Sequence, residues 1–168
     1  MNPLTNIMSP RQDPLTGFGD HDTLIADLTT ALDPGSPAAV LAVVELVGWR
    51  DYRRVSGVQA SDELIIRCAA QFARAIKPAG VCYRSRQDEL CALITGPIDE
   101  VTNTLFAADD RLKAEVGSSL VTACFGTASL PDEADDPIEL LILADQRIRI
   151  RIGDQKPRER RKNTGPPR

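Results

Sequence analysis

Two places in this chain set carboxylates where they could do chemistry. The run Tyr83-Arg84-Ser85-Arg86-Gln87-Asp88-Glu89-Leu90 puts two adjacent acids beside a bulky polar dipeptide, where a tight turn with glycine would be expected. It reads as a phosphate-handling hairpin without its phosphate cradle. Glu45 is the second place, near the C-terminal end of the apolar run Ala38 to Val47. A carboxylate at the end of a central strand is costly to bury unpaired, so it reaches solvent or meets a cation or a base.

Other chemistries lack raw material. The single histidine, His21, sits in a polar stretch, which leaves nothing for a zinc site or a histidine relay. Cys68, Cys82, Cys91 and Cys124 are scattered without a C-x-x-C pair and lie within apolar patterns, so they read as buried thiols.

With 168 residues, 42% of them hydrophobic, the chain suits one domain with a single core. Its longest apolar run, Ala38 to Val44, is too short to cross a bilayer, and the N-terminus has no secretory pattern. A soluble, cytoplasmic protein is expected. The net charge of −4 hides an asymmetry: residues 153–168 hold six basic and two acidic residues, leaving 14 against 22 in the body. That acidic body argues against a nucleic-acid surface on the folded domain. The basic tail is expected to be disordered, either solubilising the protein or making weak, salt-sensitive contacts with nucleic acid or an acidic partner.

The elements that must hold the acids follow from periodicity. Residues 1–12 read as a flexible arm. Leu24, Ile25, Leu28 and Leu32 mark a helix stopped by Asp33-Pro34-Gly35-Ser36-Pro37. Ala38 to Val47 reads as a strand buried on both faces. A short helix over Trp49–Val55 precedes a long one that opens at Ser61-Asp62-Glu63 and ends at Lys77-Pro78-Ala79-Gly80. Ser61 and Asp62 could simply cap that helix, and Trp49 could be core. Strands over Val81–Arg84 and Leu90–Thr95 form a hairpin with Asp88 and Glu89 at its tip. A helix over Pro97–Val116, a strand over Leu120–Ala128 and a helix from Pro137 to about Arg149 complete the order. Arg147 to Ile152 also alternates with the period of a strand. The order predicts an α/β (α+β) sandwich on a mainly antiparallel sheet.

Six motifs in this order resemble the GGDEF family, the diguanylate cyclases, over about Asp13 to Ile152. Asp13-Pro14-Leu15-Thr16-Gly17-Phe18 is similar to the family's Asp-x-Leu-Thr-Gly-Leu, and Glu45-Leu46-Val47-Gly48-Trp49-Arg50 to its Asp-x-Asp-x-Phe-Lys. Gly57 to Asp62 falls at Gly-His-x-x-Gly-Asp, and Arg84 to Leu90 at Arg-x-Gly-Gly-Asp/Glu-Glu-Phe. Phe125-Gly126-Thr127-Ala128 and Ala144-Asp145 match the late strand and the last helix.

The resemblance implies a palm-like domain over 13–152, with 153–168 as tail. In active members two GTP-loaded domains meet as a dimer, and divalent metals help a ribose hydroxyl attack an α-phosphate to make cyclic di-GMP. Here Glu45 and Asp88 stand at metal-binding positions, weakened because Glu45 replaces an aspartate and Val47 a second one. Asp62 keeps the acceptor for the guanine edge, while Arg53 replaces the asparagine beside it. Arg86-Gln87 replaces the glycines of the signature Arg86-Gln87-Asp88-Glu89-Leu90, which becomes vestigial. Ile152 stands where a phosphate-contacting lysine is expected. Lys77-Pro78-Ala79-Gly80 replaces the inhibitory Arg-x-x-Asp, so cyclic di-GMP is not expected there. The resulting expectation is a catalytically inactive, degenerate member working as a signalling or protein-interaction module. It needs no cofactor, taking Mg²⁺ only with a nucleotide. A protein partner is expected, with a homodimer and GTP also open. The alternatives are a GTP receptor without turnover and a weak cyclase.

Overall fold

The run of valines, leucines and alanines from residue 39 onward has no polar alternation because it forms the central strand. In the computed structural model, which describes residues 11–117 and 119–155, this is β1 (Ala39–Val47). It pairs antiparallel with β3 (Glu89–Thr95) on one side and β4 (Thr122–Leu130) on the other. β2 (Gly80–Arg86) pairs antiparallel with β3, giving the order β2-β3-β1-β4.

Helices cover both faces, and β1 divides its side chains between them. Val40, Ala42, Val44 and Leu46 enter a core with α2 (Trp49–Ile76) and α3 (Ile98–Val116). Leu41 and Val43 enter a second core with α1 (His21–Ala31) and α4 (Pro137–Gln155). Both faces of the strand are therefore dry, as its composition requires. All four cysteines are free and buried, and burial pushes the Cys68 and Cys82 thiols up to about 12. Among the described residues no helix is long and apolar enough to cross a membrane.

Local chemistry sets the helix boundaries. Asp20 caps α1 by accepting from the Thr23 amide at 2.9 Å. α2 is entered through Gly48 at φ 89°, where an added Cβ would lie 2.7 Å from the Leu120 carbonyl oxygen. The expected gap between two helices shrinks to a single kink at Gly57 (φ 88°, ψ 173°), after which helix resumes at once. Ser61 is consequently not a cap. It lies inside the helix, fully buried, and donates to the Val58 carbonyl at 2.7 Å.

Two boundaries at the C-terminal side differ from expectation. β4 starts and ends two residues later than predicted, and α4 continues through Gln155 instead of ending near Arg149. The alternating Arg147–Ile152 run is helical because Ala144 and Ile148, four residues apart, are buried on one face, while Arg149 and Arg151 are exposed. Arg151 covers the Phe125 ring at 4.0 Å. Arg147 donates to the Thr127 carbonyl and to Glu133, while the Ser129 amide donates to Glu133 at 2.8 Å, closing the outer edge of β4. At the opposite edge, Gly19 pairs with Tyr83 as a short parallel bridge, and Gln12 pairs with Gly19. Residues 1–10 and 156–168, with most of the expected arm and tail, lie outside the described residues.

Candidate functional site

The acidic hairpin is held from below by Asp13 and Arg84. Asp13 accepts from the Thr16 amide at 2.9 Å and the Thr16 hydroxyl at 2.8 Å, closing a turn completed by Gly17 at φ 72°. Its carboxylate also pairs with Arg84 Nη1 at 3.1 Å, and both side chains are largely buried. Burial alone would raise the Asp13 carboxyl, but the Thr16 and Arg84 bonds outweigh it and hold it below the usual range. Arg84 Nη2 then donates to the Gln87 carbonyl at 2.8 Å, so the first motif fixes the tip of the hairpin.

That tip closes over Gln87 and Asp88 alone, with a register shift between Arg84 and Arg86. No non-glycine residue among those described has a positive φ, so the turn forms without the glycines that its motif position suggests. The register also moves Glu89 off the tip. It is a strand residue directly opposite Glu45, only 5% exposed, and Leu90 beside it is fully buried core. Of the two long side chains expected to fill the cradle, Arg86 lines the cleft and Gln87 is exposed.

An open cleft of about 540 Å³ lies between the end of β1, the hairpin, the start of α2 and α4. Asp51, paired with Arg54, stands at its exposed margin; of the inner residues Glu45, Asp88, Glu89 and Asp145 bring negative charge, and Arg50, Arg86 and Arg149 bring positive charge. Three of these inner acids are paired: Asp88 with Arg50 Nε at 3.3 Å, Glu89 with Arg86 Nη1 at 3.3 Å, and Asp145 with Arg149 at 3.0 Å. Glu89 also accepts from the Ser85 hydroxyl. The Glu45 carboxylate makes no hydrogen bond or ion pair among the described residues. Burial, then the charges of Asp88, Asp145 and Glu89, hold its carboxyl above the usual range, with Arg86 opposing.

The two residues expected to contact a base sit together on α2, outside the lining of this cleft. Arg53 Nη1 reaches Asp62 Oδ1 at 2.9 Å and the Ser61 hydroxyl at 3.2 Å, with its guanidinium 5.1 Å from the centre of the Trp49 ring. Trp49 is 1% exposed and its indole N–H donates to the Ser61 carbonyl at 3.3 Å, so it is core. The two halves of the expected reader are bonded to each other.

Glu45 and Asp88 do share the cleft, as expected, and Ile152 lines it too. Yet no three His, Cys, Asp or Glu side chains among the described residues are grouped to hold a metal ion. With Asp88 and Glu89 already engaged by arginines, the arrangement does not fit a small divalent ion that demands several free oxygens in octahedral array. Sequence reasoning missed Arg50 and Arg149 as partners of the acids. Arg149 had a signal in its i,i+4 spacing from Asp145 on α4, whereas Arg50, whose partner Asp88 lies on the distant hairpin, had none.

Comparison with known proteins agrees with this layout. Residues 11–153 match the family described as diguanylate cyclase, GGDEF domain. No curated protein matches the chain. Among solved structures, a sensory box/GGDEF family protein from Caulobacter crescentus aligns with TM-score 0.71 at 19% identity, covering 85% of this chain and 98% of that one. The GGDEF domain of DgcB from the same organism, solved in complex with cyclic di-GMP, aligns with TM-score 0.72 at 18% identity over 88% and 92%. The diguanylate cyclase SiaD from Pseudomonas aeruginosa, solved with its activator SiaC, aligns with TM-score 0.75 at 18% identity over 86% of this chain and 58% of that one.

Proposed function

Because this chain belongs to the GGDEF family, we propose that it is a catalytically inactive member acting as a signalling or protein-interaction module in cyclic di-GMP-linked regulation. The observation that carries this reading is the Arg53–Asp62 pair. The carboxylate that the family resemblance assigns to the guanine edge already accepts from Arg53 at 2.9 Å, and the same guanidinium is tied to Ser61 and stacked near Trp49. A base that used both Asp62 oxygens would have to displace the Arg53 bond to Oδ1.

Two further observations support the same reading. Arg86, in place of a glycine, projects into the lining of the cleft. At Gly80, the position of the inhibitory aspartate, an added Cβ would lie 2.5 Å from the Leu93 carbonyl oxygen. No acidic side chain fits there without moving the sheet, which opposes a cyclic di-GMP site at Lys77–Gly80. The function so proposed requires no cofactor, Mg²⁺ entering only with a nucleotide. Its partner is a protein, as the SiaD–SiaC complex illustrates for a relative of this fold.

The test is titration calorimetry with GTP and Mg²⁺, with Asp62→Ala as control and product analysis of the same samples. No heat and no product are expected. Binding that is lost in Asp62→Ala, without product, would replace this reading with a GTP receptor. Cyclic di-GMP in the mixture would establish a cyclase.

A further inference from the structure

The cleft's carboxylates are arranged in a way that a metal site is not. Asp88 and Glu89 have side chains only 13% and 7% exposed, whereas their partners Arg50 and Arg86 are 83% and 65% exposed. Acids line the inside and guanidinium groups close over them from the rim. Glu89 and Glu45 oppose each other across β1 and β3, a like-charge pairing that destabilises a sheet unless a cation offsets it. In this chain the available cations are covalently attached.

We propose that Arg50 and Arg86 serve as built-in counter-ions in place of a divalent metal, engaging Asp88 and Glu89 and so leaving Glu45 without the partner carboxylates a metal site needs. Two guanidinium groups bring the same total charge as one divalent ion. Each uses only part of its donor set on the acid, and neither must be recruited from solution. Arg50 stands at the start of α2, two residues after the Gly48 turn, and Arg86 ends β2, so both come from elements anchored by the core. The proposal deepens the reading of this site as catalytically inactive and rests on it, because metal-assisted phosphoryl transfer needs the oxygens these arginines occupy.

The test uses the full chain and Mn²⁺ alone, with no nucleotide. Electron paramagnetic resonance would count bound Mn²⁺ in the wild-type protein and in Arg50→Gln, Arg86→Gln and the double variant, with circular dichroism to verify folding. The wild type should bind no Mn²⁺ at this cleft, whereas the double variant should bind it there, with that binding abolished by adding Glu45→Gln. Should the double variant not fold, each single variant should show an intermediate gain. Mn²⁺ bound to the wild type and lost in Glu45→Gln would overturn the proposal, as would folded arginine variants with no gain. Neither result depends on GTP or product. A wild type that binds Mn²⁺ yet makes no cyclic di-GMP would sink the counter-ion role and leave inactivity standing.

Discussion

The packing of α4 on β4 makes a quantitative prediction at Gly126. A Cβ built there would lie 3.0 Å from the carbonyl carbon of Ala144, with its oxygen nearer still and Ile148 Cγ1 at 3.1 Å. Ordinary carbon contacts lie at about 3.5–4.0 Å. The obstacle is helix backbone, which cannot rotate aside like a side chain, so Gly126→Ala must push α4 away from the sheet. Overpacking of this kind costs roughly 1–3 kcal/mol, sometimes more, and the backbone clash places this case at the upper end. At about 2–4 °C per kcal/mol for a domain of this size, the melting temperature should fall by roughly 6–12 °C. Gly153, further along α4, provides the internal control, because an added Cβ there meets nothing within 4 Å. Gly153→Ala should instead stabilise by up to ~1 kcal/mol through helix propensity. Differential scanning calorimetry of both variants is the assay. Equal stability of Gly126→Ala and wild type would refute the contact between β4 and α4, and with it the placement of Asp145 and Arg149 over the cleft.

Two predictions concern pH. The Glu45 carboxyl is held above its usual range, so its contribution to stability is present in acid and is lost as pH rises through the folded-state value. Glu45→Gln should therefore be more stable than wild type at neutral pH, with the advantage disappearing in acid; denaturant titrations at both pH values would check it, and a less stable variant at pH 7 would contradict it. Glu133 lies on the other side, held down to about 2 by the Arg147 bond and the Ser129 amide. Its contribution is present above about 4.5 and is lost as pH falls toward 2. Solvent screens much of it, because both partners are about a third exposed. Glu133→Gln should flatten the acid limb of thermal stability without changing its neutral shape.

Much of the fold was legible because its signals are local. The dry strand Ala39–Val47, the proline-rich stop after α1 and the apolar faces of α2 and α3 each declare themselves within a few residues. The end of α4 was not legible, since alternation and helical spacing coexist in Arg147–Ile152 and only packing against β4 decides between them. At the site, the acids were found but their state was not. Glu89 is buried because of a register shift that no single residue announces, and Arg53 meets Asp62 only because the helix kinks at Gly57 between them. Arg50 and Asp88 are 38 positions apart in the sequence, beyond any spacing rule.

The closed edge of β4 has a consequence for assembly. A bare sheet edge is a template on which another chain can add a strand. In this domain the Thr127 carbonyl and both backbone groups of Ser129 are taken by Arg147 and Glu133, while the β2 edge is bridged by Gly19. Lengthening the sheet into a second molecule would have to undo these contacts first. Strand addition is thus opposed at Thr127–Ser129 on one edge and at Cys82–Arg84 on the other.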